Sequence, residues 1–433
     1  MTIKQLIKKV VPTSALAGMR QWNAERMVAR VHADWDEAKL RLRTRAVSQP
    51  VRRLLIVPGD PSTLTGSLGD DAMISACVDV ARAHGPDVAI HTLTSTSAAS
   101  QQASIRGYIP EQIWSDGDFP GAIAKLLDRQ KFDVVAALGA DILDGYYDPV
   151  SATKTLAVCD LAARAGVPTT VLGFSLNASP SPLMRPGFDR LHDEVRLNVR
   201  DAISLRRFKA FCGRKANLVT DAAFCLTPGE PPSDTARWVA EARASGRKVI
   251  GLNVHPMLIK DASVLQIEQI IAVMSQTLRR VSERRSVAWL LLPHDYREEK
   301  RDARCLAPIA ANLSSGNDNV VRLLEGEHTA SVLKAIAGLL DGVVTGRMHL
   351  AVAALGMSVP ALSITYQGKF EGLYEHFDLP DWLLVQPQDL LHSELLEQRI
   401  IRFIDETESL SATVRFHLPM LMAMSRENFA VFG

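Results

Sequence analysis

No C-x-x-C pair occurs in this sequence. Its five cysteines, Cys77, Cys159, Cys212, Cys225 and Cys305, are scattered and odd in number. That argues against structural zinc and a disulfide framework and fits a reducing cytoplasm. There is no H-E-x-x-H pair, and the histidines are dispersed, so no metal and no cofactor is expected. The uncharged run 350–366 is interrupted by Pro360 and several hydroxyls, which excludes it as a bilayer helix. The first twenty residues hold lysines, a short apolar stretch and an A-x-A triplet at Ala15–Ala17, but Pro12, Thr13 and Ser14 break the run. No secretory signal is expected from that pattern. There is no fixed-period repeat and no low-complexity tract.

Net charge is also nearly absent, at +1 over 433 residues, yet it is unevenly placed. Residues 1–53 carry twelve Lys and Arg against four Asp and Glu, which leaves the remainder with a net −7. A basic arm on a mildly acidic body fits contact with an anionic membrane or a protein partner, or simply a solvated helix. The arm has no aromatics interleaved with its basic residues beyond Trp22 and Trp35, so nucleic acid is not expected as a partner.

What is present is alternation. Val28, Val31, Trp35, Ala38 and Leu42 recur at helical spacing, which predicts an amphipathic helix over 20–45. From there short apolar runs alternate with helical stretches: RLLIV (53–57), VAIHTL (88–93), DVVAAL (133–138), TTVLGF (169–174) and VRLNVR (195–200), with helices such as 71–85 and 151–166 between them. After the Pro-rich break TPGEPPSD (227–234) the pattern resumes with KVIGLNV, VAWLLLP, NVVRLL, DGVVTG and PALSIT. Repeated strand–helix alternation implies parallel sheets wrapped by helices. The expected architecture is α/β: a helical extension (1–50), a doubly wound Rossmann-like domain (51–227) and a second one (228–433) facing it across a cleft. The last helix of the second is expected to pack back on the first.

Polar groups gather at the carboxyl ends of these strands, where open parallel sheets bind ligands. Arg347 and His349 follow DGVVTG and open the next helix. Cations at a helix N-terminus oppose its dipole, so a bound phosphate or carboxylate accounts for them better than stability does. The other reading has Arg347 in a salt bridge and His349 bonded in the core. Asp70 and Asp71 open a helix after a Gly/Ser/Thr loop that is neither a Walker loop nor a dinucleotide fingerprint, and Asp70 taken alone reads as a cap or as a site residue. Arg200 with Asp201 and Ser204, and His294 with Asp295, complete the set of strand-end groups.

Together these motifs resemble the polysaccharide pyruvyl transferases, which attach pyruvate as a ketal to glycan sugars with phosphoenolpyruvate as donor. GSLGDDAMI matches the family's glycine-rich loop with Ser67 in place of Asn, and FDVVAALGADIL matches its glycine pair with Ala140 as the second member. VRDAIS, VTDAAF, LLLPHD and the long block from VVTGRMHL to Lys369 follow in order. The resemblance covers about residues 52–380. The family's usual Gly-Pro after the fourth strand is replaced by LNASPSP (176–182), a region that bears on acceptor choice.

The resemblance implies a GT-B-like fold. It also implies that Arg200, Arg347 and His349 hold phosphoenolpyruvate and that Asp70 sits near the reacting centre. Because histidine changes charge near neutral pH, His349 is the expected catalytic acid, with Asp70 as catalytic base; Met348, His294 and Lys369 complete the expected substrate-binding set. Phosphoenolpyruvate and a glycan or lipid-linked oligosaccharide are the expected partners. The expected location is cytoplasmic, with peripheral contact at the inner membrane face through residues 1–45. Two alternatives stand beside this: a GT-B glycosyltransferase using a nucleotide sugar, and a non-catalytic assembly protein at the membrane.

Overall fold

The computed structural model describes residues 13–44, 51–259, 262–297, 301–314, 320–365 and 368–433. The first twelve residues of the basic arm, with Lys4, Lys8 and Lys9, and the stretch 45–50 lie outside the described residues.

Among the described residues, thirteen strands form two parallel sheets. The first contains β1 (Arg53–Val57), β2 (Ala89–Leu93), β3 (Ile109–Glu111), β4 (Val134–Ala137), β5 (Thr169–Phe174), β6 (Val195–Val199) and β7 (Asn217–Leu218). Their order across the sheet is β3-β2-β1-β4-β5-β6-β7. The second contains β8 (Lys248–Asn253), β9 (Val287–Leu291), β10 (Val321–Leu323), β11 (Gly342–Thr345), β12 (Ala361–Ile364) and β13 (Leu384–Val385), in the order β10-β9-β8-β11-β12-β13. Central strands such as β4, β5, β9 and β11 are buried along their whole length. That double-sided burial is why they read as unbroken apolar runs rather than alternating ones. The expected two-domain α/β architecture is the one observed.

The amphipathic arm helix spans Thr13–Lys39, beginning and ending earlier than its periodicity indicated. Its apolar face is spent on the first sheet's helices. Val28, Val31, Trp35 and Ala38 are buried, and Trp35 Nε1 donates to Asp160 Oδ2 at 2.8 Å. Asp160 also accepts from Arg164 Nε at 2.8 Å and the backbone N–H of His192 at 2.6 Å, so this buried carboxylate is fully engaged. The arm is thus docked from Val28 to Ala38, while residues 18–27 are largely exposed. Among the described residues no helix is long and apolar enough to cross a membrane.

Two features hold the halves together at the strand ends. The chain after β9 pairs with the loop after β1: Ser67 bridges Asp295 in antiparallel register, Leu68 N donates to His294 O at 3.3 Å, and Tyr296 N donates to Gly66 O at 3.2 Å. The 34-residue helix Ser393–Arg426 runs from the second sheet's helices onto the first sheet. There Thr220 Oγ1 donates to Leu421 O at 2.8 Å, and Asn428, just past the helix, accepts from Gly173 N at 2.7 Å. Buried polar groups paired this way specify one relative placement, since each would cost stability if left unbonded.

Candidate functional site

The carboxyl ends of both sheets face each other, and between them lies a cleft of about 350 Å³. Seven of the residues singled out in the sequence line it: Asp70, Arg200, His294, Arg347, Met348, His349 and Lys369; Asp71, Asp201, Ser204 and Asp295 stand behind the lining. Their common position follows from topology. A parallel sheet sends all its strand ends to one edge, and each chain segment leaving that edge delivers a side chain to the same space.

On the first sheet's side, the loop after β1 leads into helix Leu68–His84. The N-cap position belongs to Ser67, and Asp70 is three residues inside. Asp70 is therefore not a cap, and its carboxylate lies over Gly59, where a Cβ would come within 2.9 Å of Oδ1. Burial raises the Asp70 pKa to about 7, Arg297 opposing this and the carboxylates of Asp60, Asp141 and Asp295 adding to it. Its neighbour Asp71 has a different task. Fully buried, it accepts from Arg106 Nη1 at 2.5 Å and from the backbone N–H of Ala330 at 2.7 Å, tying the two halves together.

Arg200 leaves the end of β6 only 3% exposed. Its Nη1 donates to Asp221 Oδ2 at 2.8 Å and its Nε to Ser175 Oγ at 2.6 Å. The following residue, Asp201, caps helix Ala202–Phe211 by accepting from the N–H and hydroxyl of Ser204 at 2.6 and 2.7 Å. The R-D-x-x-S motif thus splits into a cleft arginine and a helix cap.

On the second side, Arg347 is the N-cap of helix Met348–Gly356 and is 8% exposed. It is ion-paired: Nε and Nη2 donate to Asp302 Oδ1 at 3.2 and 2.5 Å, and Nη1 lies 3.3 Å from Asp295 Oδ2. The salt-bridge reading of Arg347 holds, and the guanidinium lines the cleft as well. Burial raises the pKa of Asp302, and Arg347 opposes that shift. His294 is 4% exposed; burial, aided by Arg347 and His349, keeps it well below the usual histidine range.

His349 projects across the cleft onto the first half. Its Nε2 is buried, 3.5 Å from Asp221 Oδ2 without hydrogen-bond geometry. Its Nδ1 lies against Gly69, where a Cβ would come within 2.5 Å. Burial lowers its pKa; Asp221 and Asp141 pull it up, while Arg200 and Lys369 push it further down. In the protein alone the imidazole is therefore neutral at neutral pH. Asp221 has the reverse balance: burial alone would raise it, but His349 and Arg200 together bring it below the usual carboxylate range.

Lys369, after β12, reaches over the cleft to Asp141 on the loop after β4, and its Nζ donates to Tyr147 OH at 2.9 Å. Burial would raise Asp141, but Lys369 and Arg200 hold it well below the carboxylate range. Five residues of this arrangement escaped sequence reasoning: Asp141, Asp221, Arg297, Asp302 and Tyr147. Asp221 stood in the VTDAAF segment and Arg297 two residues past Asp295, so both had a signal. Arg297 lines the cleft and is held by Asp295 through Nε and Nη2 at 3.0 and 2.6 Å. Asp302 and Tyr147 had none, because their importance comes from contacts with distant segments.

The chain is similar in fold to UDP-GlcNAc 2-epimerases and to a glycosyltransferase. A UDP-GlcNAc 2-epimerase from Neisseria meningitidis, solved with UDP-GlcNAc bound, matches with a TM-score of 0.54 at 11% identity, covering 88% of this chain and 99% of its own. A further UDP-N-acetylglucosamine 2-epimerase matches at 0.56 and 12%, covering 88% and 95%. A glycosyltransferase from Rickettsia africae matches at 0.52 and 10%, covering 88% and 98%. At such identities the likeness establishes the GT-B-like fold alone. No curated protein matches the sequence. The family model for polysaccharide pyruvyl transferase matches residues 68–368, well over half of the chain and the whole stretch that carries Asp70, Arg200, Arg347 and His349. The chain therefore belongs to the polysaccharide pyruvyl transferase family, a family of transferases.

Proposed function

We propose that the protein transfers a pyruvyl group from phosphoenolpyruvate to two hydroxyls of one glycan sugar, forming a ketal and releasing phosphate. The observation that carries this reading is the convergence of Arg200 and Arg347, from opposite halves, on one cleft that His349 also lines. The donor carries a carboxylate and a phosphate, and guanidinium groups suit such planar, multiply charged groups. Asp221, Asp302 and Asp295 would hold the two guanidinium planes in place before the donor arrives.

In this reading His349, protonated when the donor is bound, gives its proton to the donor's methylene carbon, which becomes a methyl group. A sugar hydroxyl adds to the central carbon and its proton passes to Asp70. A base with a pKa near working pH suits that transfer. The bond from the central carbon to the phosphate oxygen then breaks. A second hydroxyl of the same sugar takes its place, its proton returns to His349, and phosphate leaves with the proton held by Asp70. Met348, His294 and Lys369 would border the bound substrates.

The fold likeness to UDP-sugar enzymes favours a second reading, a glycosyltransferase that binds a nucleotide sugar. Titration calorimetry of the wild type and Arg347→Lys with phosphoenolpyruvate and with a panel of UDP-sugars separates the two. Binding of phosphoenolpyruvate that the lysine variant loses by about tenfold or more supports the pyruvyl reading. Binding of a UDP-sugar alone sinks it.

The arm helix would bring the enzyme to anionic lipid at the inner membrane face. Its exposed side carries Trp22, 61% exposed with the Arg26 guanidinium 5.8 Å from its ring, and Met19 one turn earlier. An aromatic beside basic residues suits the lipid headgroup region. Sedimentation with anionic vesicles should fall for a variant combining Arg20→Glu, Trp22→Ala and Arg26→Glu; unchanged sedimentation removes the membrane contact.

A further inference from the structure

We propose that the ring of Tyr147, at the rim of the cleft, is the platform on which the acceptor sugar lies, and that the Asp144–Asn177 pair behind it sets its position. This rests on the pyruvyl transferase reading for the presence of a sugar in the cleft. It goes beyond that reading in saying where the sugar sits and which segment chooses it.

Tyrosine rings that fold into a core are covered. Tyr146 and Tyr147 are 40% and 49% exposed, packed edge to face with centroids 5.2 Å apart. The exposed aromatic side chains among the described residues are Trp22, Tyr146, Tyr147 and Phe416, and of these Tyr147 alone lines the cleft. It does not lie loose. Its hydroxyl donates to Asp141 Oδ2 at 3.2 Å and accepts from Lys369 Nζ at 2.9 Å, so the ring is clamped between segments from both halves. With the Lys369 ammonium 5.3 Å from its centroid, this half-exposed, rigid ring still offers apolar area at little entropic cost beside polar groups.

That combination matches a sugar ring, which has an apolar C–H face and an edge of hydroxyls. Asp148 and Ser151 also line the cleft; Asp148 accepts from Val150 N at 2.9 Å and Ser151 Oγ at 2.6 Å, and the remaining lone pairs of both side chains are acceptors for such hydroxyls. The charges fit this. Arg200 and Arg347 supply the guanidinium groups suited to the anionic donor, whereas beside Tyr147 the Asp141 carboxylate and the Lys369 ammonium balance each other and tolerate a neutral sugar.

The loop carrying Tyr147 turns at Gly145, whose φ of +71° lies in the left-handed region that favours glycine. The carboxylate of Asp144 holds that turn. It accepts from Tyr146 N at 2.9 Å, Asn177 Nδ2 at 2.6 Å and Asn177 N at 3.2 Å, while its carbonyl accepts from Ser181 N at 2.8 Å. Asn177 and Ser181 belong to LNASPSP, the segment where this chain departs from its family's Gly-Pro. That segment does not itself line the cleft; it reaches the cleft through Asp144. A sequence change there would shift the platform and so change which sugar fits.

Saturation-transfer NMR tests this with methyl glycosides of galactose, glucose and mannose as probes, on the full chain as wild type, Tyr147→Phe, Tyr147→Ala and Asn177→Ala. The phenylalanine and alanine variants both lack the hydroxyl shared with Lys369 and Asp141, so their difference isolates the ring. The expected result is saturation of at least one glycoside by the wild type and Tyr147→Phe, and about tenfold weaker binding by Tyr147→Ala. Titration with phosphoenolpyruvate should give equal affinities for those two variants. Asn177→Ala should weaken glycoside binding with donor affinity unchanged, and unaltered glycoside binding removes the positioning part. Equal glycoside binding by Tyr147→Phe and Tyr147→Ala, or no saturation of any probe by the wild type, overturns the platform. A wild type that binds a glycoside through Tyr147 yet fails to bind phosphoenolpyruvate leaves the platform standing and sinks the donor assignment instead.

Discussion

His349 Nδ1 and the Gly69 backbone meet across the cleft so closely that a Cβ on Gly69 would stand 2.5 Å from the ring nitrogen. Gly69 lies in the first turn of a helix, where alanine ordinarily stabilises by about 0.5–1 kcal/mol. Here the ring must give way, because it is the movable partner. Gly69→Ala is therefore expected to fold with nearly unchanged Tm while turnover drops by about tenfold or more, since His349, the proposed acid, would lose its reach when displaced. Thermal denaturation alongside steady-state kinetics checks both halves. Full activity in a well-folded Gly69→Ala protein would contradict a role for His349 at this position.

The pKa of His349 sets a second expectation. Burial lowers it, Asp221 and Asp141 partly restore it, and Arg200 and Lys369 depress it further. Its folded pKa is thus below the usual histidine value, and the protein alone holds it neutral at pH 7. A bound donor adds negative charge nearby and favours the imidazolium. Donor binding at pH 7 to 8 should then take up protons, and affinity should weaken as pH rises. Calorimetry in buffers of different ionisation enthalpy reads that uptake directly. His349→Gln should reduce it by up to one proton, and identical uptake in the variant would assign the proton to another group.

Asp70 is expected to trade stability for function. Its folded pKa, about 7, lies above the unfolded carboxyl value because burial and neighbouring carboxylates disfavour the charge. Ionising it in the folded protein is therefore costly, and that cost grows as pH rises from about 4 towards 7 and then levels off. Asp70→Asn removes the charge. The variant should gain Tm relative to the wild type at pH 8, lose that gain near pH 4, and turn over far more slowly at both. An equal Tm difference at the two pH values would show that ionisation of Asp70 is not the cause.

Most of the strands that the sequence made legible are largely buried; β10, a half-buried edge strand, was legible through the apolar run NVVRLL. The three that it hid, β3, β7 and β13, are two or three residues long and lie at sheet edges. β3 and β7 offer no apolar run to read, and β3 contains Pro110, which costs a central strand a ladder bond; β13 lies in the run WLLV, too short to tell a strand from a helix segment. At the site, residues at strand ends were legible because parallel topology fixes where a strand end goes. Their acidic partners were not. Asp302 looked like part of a charged loop, and only the folded chain brings it within 2.5 Å of Arg347 Nη2. The boundary of the arm helix was misplaced for a related reason: its apolar spacing marks the docked segment, whereas its described start at Thr13 lies upstream of the buried residues.

Ala140 shows where sequence and structure explain each other. At the position where the resemblance places the second member of a glycine pair, this chain has alanine, and its φ is +44°. That left-handed conformation costs a non-glycine residue about 1–2 kcal/mol, yet it is imposed here. Ala140 O must accept from Ser175 N at 2.7 Å while the chain turns out of β4 to deliver Asp141 to Lys369. Ala140→Gly relieves the strain but loosens the unfolded chain, which offsets about 0.4–1 kcal/mol of the gain. A net stabilisation of about 0.5–1 kcal/mol remains, readable as a higher midpoint in urea with an unchanged slope. A lower midpoint would mean that the alanine methyl makes contacts worth more than the strain it carries.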